Sequence, residues 1–282
     1  MIKQQILRNI ENIQKIESIK EKEKFLFFVI KNLNSGDFKL IMCENHEKVL
    51  FLNKKNKFRK FEENIVFDDL ELEEKNIEKS YFLFGLLDKK DSLKSFIYKG
   101  NGGKSKIYHN SKRDPSTIIF KNIDKNSNWY LWNENFGMKN IIVLNKDLPL
   151  TENTFFGDFP NNLYISVTDE LNYSDSEYLM ILLFNSDCFY SNVYLGNGEE
   201  KIINTGFPPG LVIIKNISSQ SNWCLLSNNF DTGEYFKLNT DNEIQKNKDL
   251  NIYFEENGII IRNNFNMTNK NNNKYLLLCF RK

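Results

Sequence analysis

Residues 212–229, VIIKNISSQSNWCLLSNN, read as an apolar strand, a Lys-Asn pair, a polar turn, an Asn-Trp pair, a second apolar strand and a closing Asn. The same order recurs at 118–135, IIFKNIDKNSNWYLWNEN, and at 28–45, FVIKNLNSGDFKLIMCEN. Lys31, Lys121 and Lys215 correspond, as do Asn32, Asn122 and Asn216, followed by Phe38, Trp129 and Trp223. Short β-branched and aromatic runs between Asn, Ser and Lys clusters are the signature of strands and turns, and self-similarity at a long period is the signature of repeated units.

Working outward, each copy continues into an apolar run that ends in Leu-Asn, at Leu52-Asn53, Leu144-Asn145 and Leu238-Asn239. Then come NIVFDDLELEEK, DFPNNLYISVTD and YFEENGIIIRNN, and each copy closes on a tyrosine-led run, YFLFGLL, YLMILLF or YLLLCF. The leading tyrosines, Tyr81, Tyr178 and Tyr275, are 97 residues apart in both intervals. The second and third copies also share an opening strand with Gly-Asn-Gly, from Tyr98 and from Tyr194. No stretch between strands leaves room for crossover helices, so the sheets are expected to be antiparallel. The near-continuous apolar closing runs predict central strands covered on both faces, where alternation vanishes. The expected fold is all-β: three tandem antiparallel β-sandwich, jelly-roll-like repeats at 25–92 (shortened, without its opening strand), 93–188 and 189–282.

Residues 1–24 read differently. Ile2, Ile6, Ile10, Ile13, Ile16 and Ile19 recur every three or four positions between polar residues, which predicts one N-terminal amphipathic helix over 2–24. Such a helix either lies against the β repeats or oligomerises the chain as a stalk, for example as a trimer.

Lys and Arg number 38 against 37 Asp and Glu, so no overall charge holds the molecule on nucleic acid or an anionic membrane. The 282 residues include no alanine, the best helix former, while Phe, Ile and Tyr are plentiful and favour strands. Cys43, Cys188, Cys224 and Cys279 have no CxxC spacing and read as buried free thiols. His46 and His109 have no second ligand at metal spacing, so neither a metal nor a cofactor is expected. The polar N-terminus and the lack of any apolar run near 20 residues lead us to expect neither a secretion signal nor membrane insertion.

The third repeat, GNGEEKIINTGFPPGLVIIKNISSQSNW from Gly196, resembles a β domain of unknown function, often in tandem, in tail, fibre and other structural proteins of tailed bacteriophages. Lines of that family read GNGxxxxIxTGFxPDxVxIKNR, then NWxxxD. The second repeat keeps Pro115 before its strand but has no TGF, and the first keeps only the later strands. The resemblance covers about residues 25–282 and implies a virion structural role, with other virion proteins as partners and no catalytic residues to carry over.

Chemistry motifs are missing: there is no GxSxG, and GNGGKS at 100–105 has neither the spacing of a phosphate-binding loop nor a following helix. A non-enzymatic protein is expected. The candidate ligand contacts are aromatic: Tyr130, Trp132 and Tyr173 sit in or beside turns and suit stacking on a host surface glycan. Alternation places Tyr130 and Trp132 on one face of their strand, opposite Trp129 and Leu131. The functional expectation is a bacteriophage virion protein made in the host cytoplasm, as a tail or fibre appendage or other surface subunit. The alternatives are a capsid decoration protein, in which three units on one chain mimic a trimer, and a carbohydrate-binding module without a viral role.

Overall fold

A computed structural model of the chain describes residues 92–282 continuously and, before them, residues 2–7, 25–32, 39–42, 48–55, 57, 59–60 and 81–87. Among the described residues the fold is all-β and every strand pairing is antiparallel. The first sheet holds β1 (Ile2–Leu7), β2 (Phe25–Asn32), β3 (Lys39–Met42), β4 (Lys48–Phe51), β5 (Arg59–Lys60) and β6 (Tyr81–Leu87), in the spatial order β1-β6-β2-β3-β4-β5.

The middle of the chain supplies β7 (Leu93–Lys99), β8 (Ser105–Tyr108), β9 (Thr117–Asn122), β10 (Tyr130–Asn133), β11 (Asn140–Val143), β12 (Thr151–Glu152), β13 (Tyr164–Val167) and β14 (Glu177–Leu183). Its large sheet runs β7-β14-β9-β10-β11-β12, and β8 pairs with β13 in a small one. The last part supplies β15 (Phe189–Leu195), β16 (Glu200–Asn204), β17 (Pro209–Asn216), β18 (Trp223–Ser227), β19 (Glu234–Lys237), β20 (Gln245–Lys246), β21 (Ile252–Glu255), β22 (Gly258–Arg262) and β23 (Lys274–Arg281). Here the large sheet runs β15-β23-β17-β18-β19-β20 and the small one β16-β22-β21.

The three large sheets share one strand order and one register. Asn32 faces Tyr81, Asn122 faces Tyr178 and Asn216 faces Tyr275, which is the structural meaning of the evenly spaced tyrosines. On the other side of each tyrosine stand Leu7, Tyr98 and Tyr194. Two expectations are corrected by that register. Residues 2–7 are a strand, not the start of a helix, and the first sheet does have its opening strand. Ile2 and Ile6 lie on one face of a helix by their spacing of four, yet as even-numbered positions they also lie on one face of a strand, and pairing with β6 decides between the two. The remainder of the expected helix, residues 8–24, lies outside the described residues, as do Cys43 and His46.

Burial explains why the closing runs lack alternation. In β14 every residue from Tyr178 to Leu183 is buried, and in β23 every residue from Tyr275 to Phe280 is. Successive side chains point to opposite faces. Leu179, Ile181 and Leu183 join Leu211, Ile213, Leu276, Leu278, Trp129 and Trp223 in a core shared by the second and third large sheets. Tyr178, Met180 and Leu182 turn the other way, onto Ile165 and Val167 of the small sheet. In the third sheet Leu277 and Cys279 do likewise, packing with Ile203, Ile259 and Ile261. The leucines of the Leu-Asn pairs, Leu52, Leu144 and Leu238, all lie in the shared core. Burying side chains of this size stabilises by about 1.5–3 kcal/mol each.

Candidate functional site

The recurring polar residues are explained by the fold before any function is invoked. Asn122 and Asn216 each accept two backbone N–H groups of the following turn through Oδ1, from Asp124 and Lys125 and from Ser218 and Ser219. Asn145 Oδ1 accepts from the Trp129 amide at 2.9 Å while its Nδ2 donates to Asn128, and Asn239 repeats this with Trp223 and Asn222. The Leu-Asn and Asn-Trp pairs are therefore two halves of one clamp. The Gly-Asn-Gly turn has its own: Asn172 donates to Asn101, and Asn269 donates to Asn197. The first glycine is required because a Cβ on Gly100 would stand 2.2 Å from the Tyr173 carbonyl oxygen. The second, Gly102, takes φ +87°, where glycine is favoured.

The lysines of the second and third Lys-Asn pairs, Lys121 and Lys215, are fully buried. Lys121 Nζ donates to Ser127 O at 2.6 Å and stands 5.5 Å from the centre of the Trp129 ring. Lys215 Nζ donates to Ser221 O and Asn216 O, both at 2.8 Å, and lies 3.4 Å from Asp147 O. Burial pushes the Lys121 amine down to about 7 and the Lys215 amine down to about 8, the latter partly opposed by Asp147. Asp147 also accepts from Ser221 N at 2.8 Å, so this lysine sits where the second and third sheets meet. His109 is a satisfied interior residue, its ring nitrogens 2.8 Å from Ser111 Oγ and from Asn161 O.

What remains is a cleft of about 320 Å³ on the second repeat. Tyr130, projecting from β10, forms its floor with Phe155, the rings meeting edge to face at 4.8 Å, and Tyr130 is braced below by Phe120 at 5.5 Å. Tyr173, on the loop before β14, is 52% exposed and forms a wall, with Lys125 Nζ 5.2 Å from its ring centre. Tyr178 supports it by accepting the Tyr173 N–H at 3.1 Å, and burial raises the pKa of the Tyr178 phenol. Asn126 and Glu170 complete the rim; Asn126 Oδ1 accepts from Lys57 N, and Glu170 accepts from Thr154. A second cleft, of about 340 Å³, lies on the third repeat beside Phe230, Glu234 and Tyr253.

Of the three aromatic candidates, two meet in the first cleft and one does not. Tyr130 and Trp132 do share a face, opposite Trp129 and Leu131, but both faces are covered. Trp132 is 1% exposed and donates Nε1–H to Gly137 O at 2.9 Å, which leaves it no surface for stacking on a ligand. Sequence reasoning missed Lys125, Phe155 and Glu170. For Glu170 the difference between copies is a signal, since the third repeat has Met267 in its place, and Met267 is buried.

Fold and site together define a repetitive antiparallel β protein whose shared motifs are structural and whose second repeat carries a recess rimmed by aromatic, amide and charged groups. Residues 93–282 match a family described as Domain of unknown function (DUF7483), and the chain belongs to that family. No curated protein matches the chain.

Proposed function

We propose that this chain is a virion structural protein of a bacteriophage, a tail- or fibre-type appendage or other surface subunit, built of three jelly-roll-like sandwich units around one core. The observation that carries the reading is the meeting of Leu52, Leu144 and Leu238, one from each unit, in a single hydrophobic cluster. Three like units around one core are what a trimeric surface protein assembles from three chains. In this reading one chain carries the three units, and the pairing of residues 2–7 as β1 with the first sheet supports it. The turns that carry the recurring Asn and Lys residues are tied off internally, which suits a rigid, non-enzymatic building block that presents its outer surface to other virion proteins and to the host. The resemblance of the third repeat to domains of phage structural proteins supplies the viral part of the reading.

Capsid decoration is the second reading, favoured by the same internal threefold arrangement, since a compact body needs no stalk. Gradient-purified particles of the source virus, probed with gold-labelled antibody against the chain, test the proposal. Label on tail or fibre supports the first location and label on the head the second. Particles free of the chain overturn both.

A further inference from the structure

The cleft of the second repeat differs from the same place in the next copy in a way that points to a ligand: residues at its edge are matched there by buried ones. Tyr173 and Lys270 occupy equivalent places, each donating its N–H to the tyrosine that opens the closing strand, at 3.1 and 2.8 Å. Around that shared frame the third repeat puts Cys224 and Met267 into the interior. The second repeat instead has Tyr130 half-buried, Glu170 at the rim and an open volume of about 320 Å³, at the low end of the roughly 300–1,000 Å³ typical of small-molecule sites.

A pyranose ring has one face of C–H bonds and a belt of hydroxyls that both donate and accept. The cleft offers the complement, with Tyr173 as a half-exposed aromatic wall, the Tyr130–Phe155 pair as floor, and an ammonium (Lys125), an amide (Asn126) and a carboxylate (Glu170) around them. One cation and one carboxylate give the rim no net charge, which favours a neutral sugar over a sialic or uronic acid. We infer that the cleft formed by Tyr130, Phe155, Tyr173, Lys125 and Glu170 binds a single neutral hexopyranose unit of a surface glycan. The inference rests on the surface role proposed above and names the ligand class. The two fail separately, because sugar binding is read on the purified chain and location on the particle.

Saturation-transfer NMR on the full chain with the methyl glycosides of glucose, galactose, mannose and N-acetylglucosamine at millimolar concentration is the test. Transfer to at least one of the four is expected, strongest at the ring protons of the C–H face. Tyr173→Ala should weaken that binding by about tenfold or more, while Tyr173→Phe, which keeps the platform, should stay within about twofold. Because Tyr173 is exposed, both variants should melt as the parent does. No transfer to any of the four glycosides, or unchanged affinity in a folded Tyr173→Ala, overturns the inference.

Discussion

Raising the pH from 7 to 8.5 should stabilise this protein, and the size of the effect follows from two buried lysines. Folding takes the Lys121 amine from 10.5 to about 7 and that of Lys215 from 10.5 to about 8, burial being the main cause in both. Between the folded and unfolded values the unfolded chain binds more protons, so stability rises with pH through that window and is lowest below it. With about 1.4 kcal/mol for each tenfold change in proton affinity, the interval from pH 7 to 8.5 is worth about 1.5 kcal/mol for Lys121 and about 1 kcal/mol for Lys215. Above that interval the trend is opposed by the buried thiols of Cys224 and Cys279 and by Tyr98 and Tyr194, whose raised values make the unfolded chain ionise first. Urea unfolding at the two pH values reads the difference. Lys121→Met keeps the buried stem and removes the ammonium, so its pH dependence should shrink by the Lys121 share. A parent protein whose stability is flat or falls over the interval, or a Lys121→Met variant with the parental slope, would refute the reasoning.

Trp223→Ala opens a cavity in the shared core and deletes the Nε1–H bond to Val143 O at 3.4 Å across the sheet junction; a loss of about 3–5 kcal/mol in urea unfolding is expected. Asn145→Ala removes the Oδ1 acceptor of the Trp129 N–H and the Nδ2 bond to Asn128, and should lower stability by about 1–3 kcal/mol in the same assay. Gly196→Ala drives a Cβ to 2.4 Å from Lys270 O and 2.9 Å from the Tyr275 ring, so its melting temperature should fall with a loss of about 1–3 kcal/mol.

The repeat was legible because the same residues serve the same bonds in the second and third copies. The even tyrosine spacing is a register, and the Lys-Asn, Asn-Trp and Leu-Asn pairs are capped turns and clamps. Strands covered on both faces could be read from the unbroken apolar run around Met180, since a polar residue on either face of β14 would be buried. The opening strand of the first unit was hidden by the spacing of Ile2 and Ile6, which fits helix and strand alike until a partner strand is in view. Trp132 was placed on the right face of β10, but which layer covers that face depends on β13, more than 30 residues away in sequence. The cleft brings Tyr130 together with Tyr173 through a loop packed on Tyr178, a contact that no local pattern encodes. The burial of Lys121 and Lys215 has no sequence signal, because an amine satisfied by backbone carbonyls leaves no acidic partner to find in the sequence.

The proposal that one chain carries all three units of the body is tested most directly by the solution mass of the full protein, measured by light scattering after size-exclusion chromatography. The expected result is a monomer of 33.4 kDa at micromolar concentration. A stable species of three times that mass would contradict it and would return the threefold symmetry to an assembly of chains.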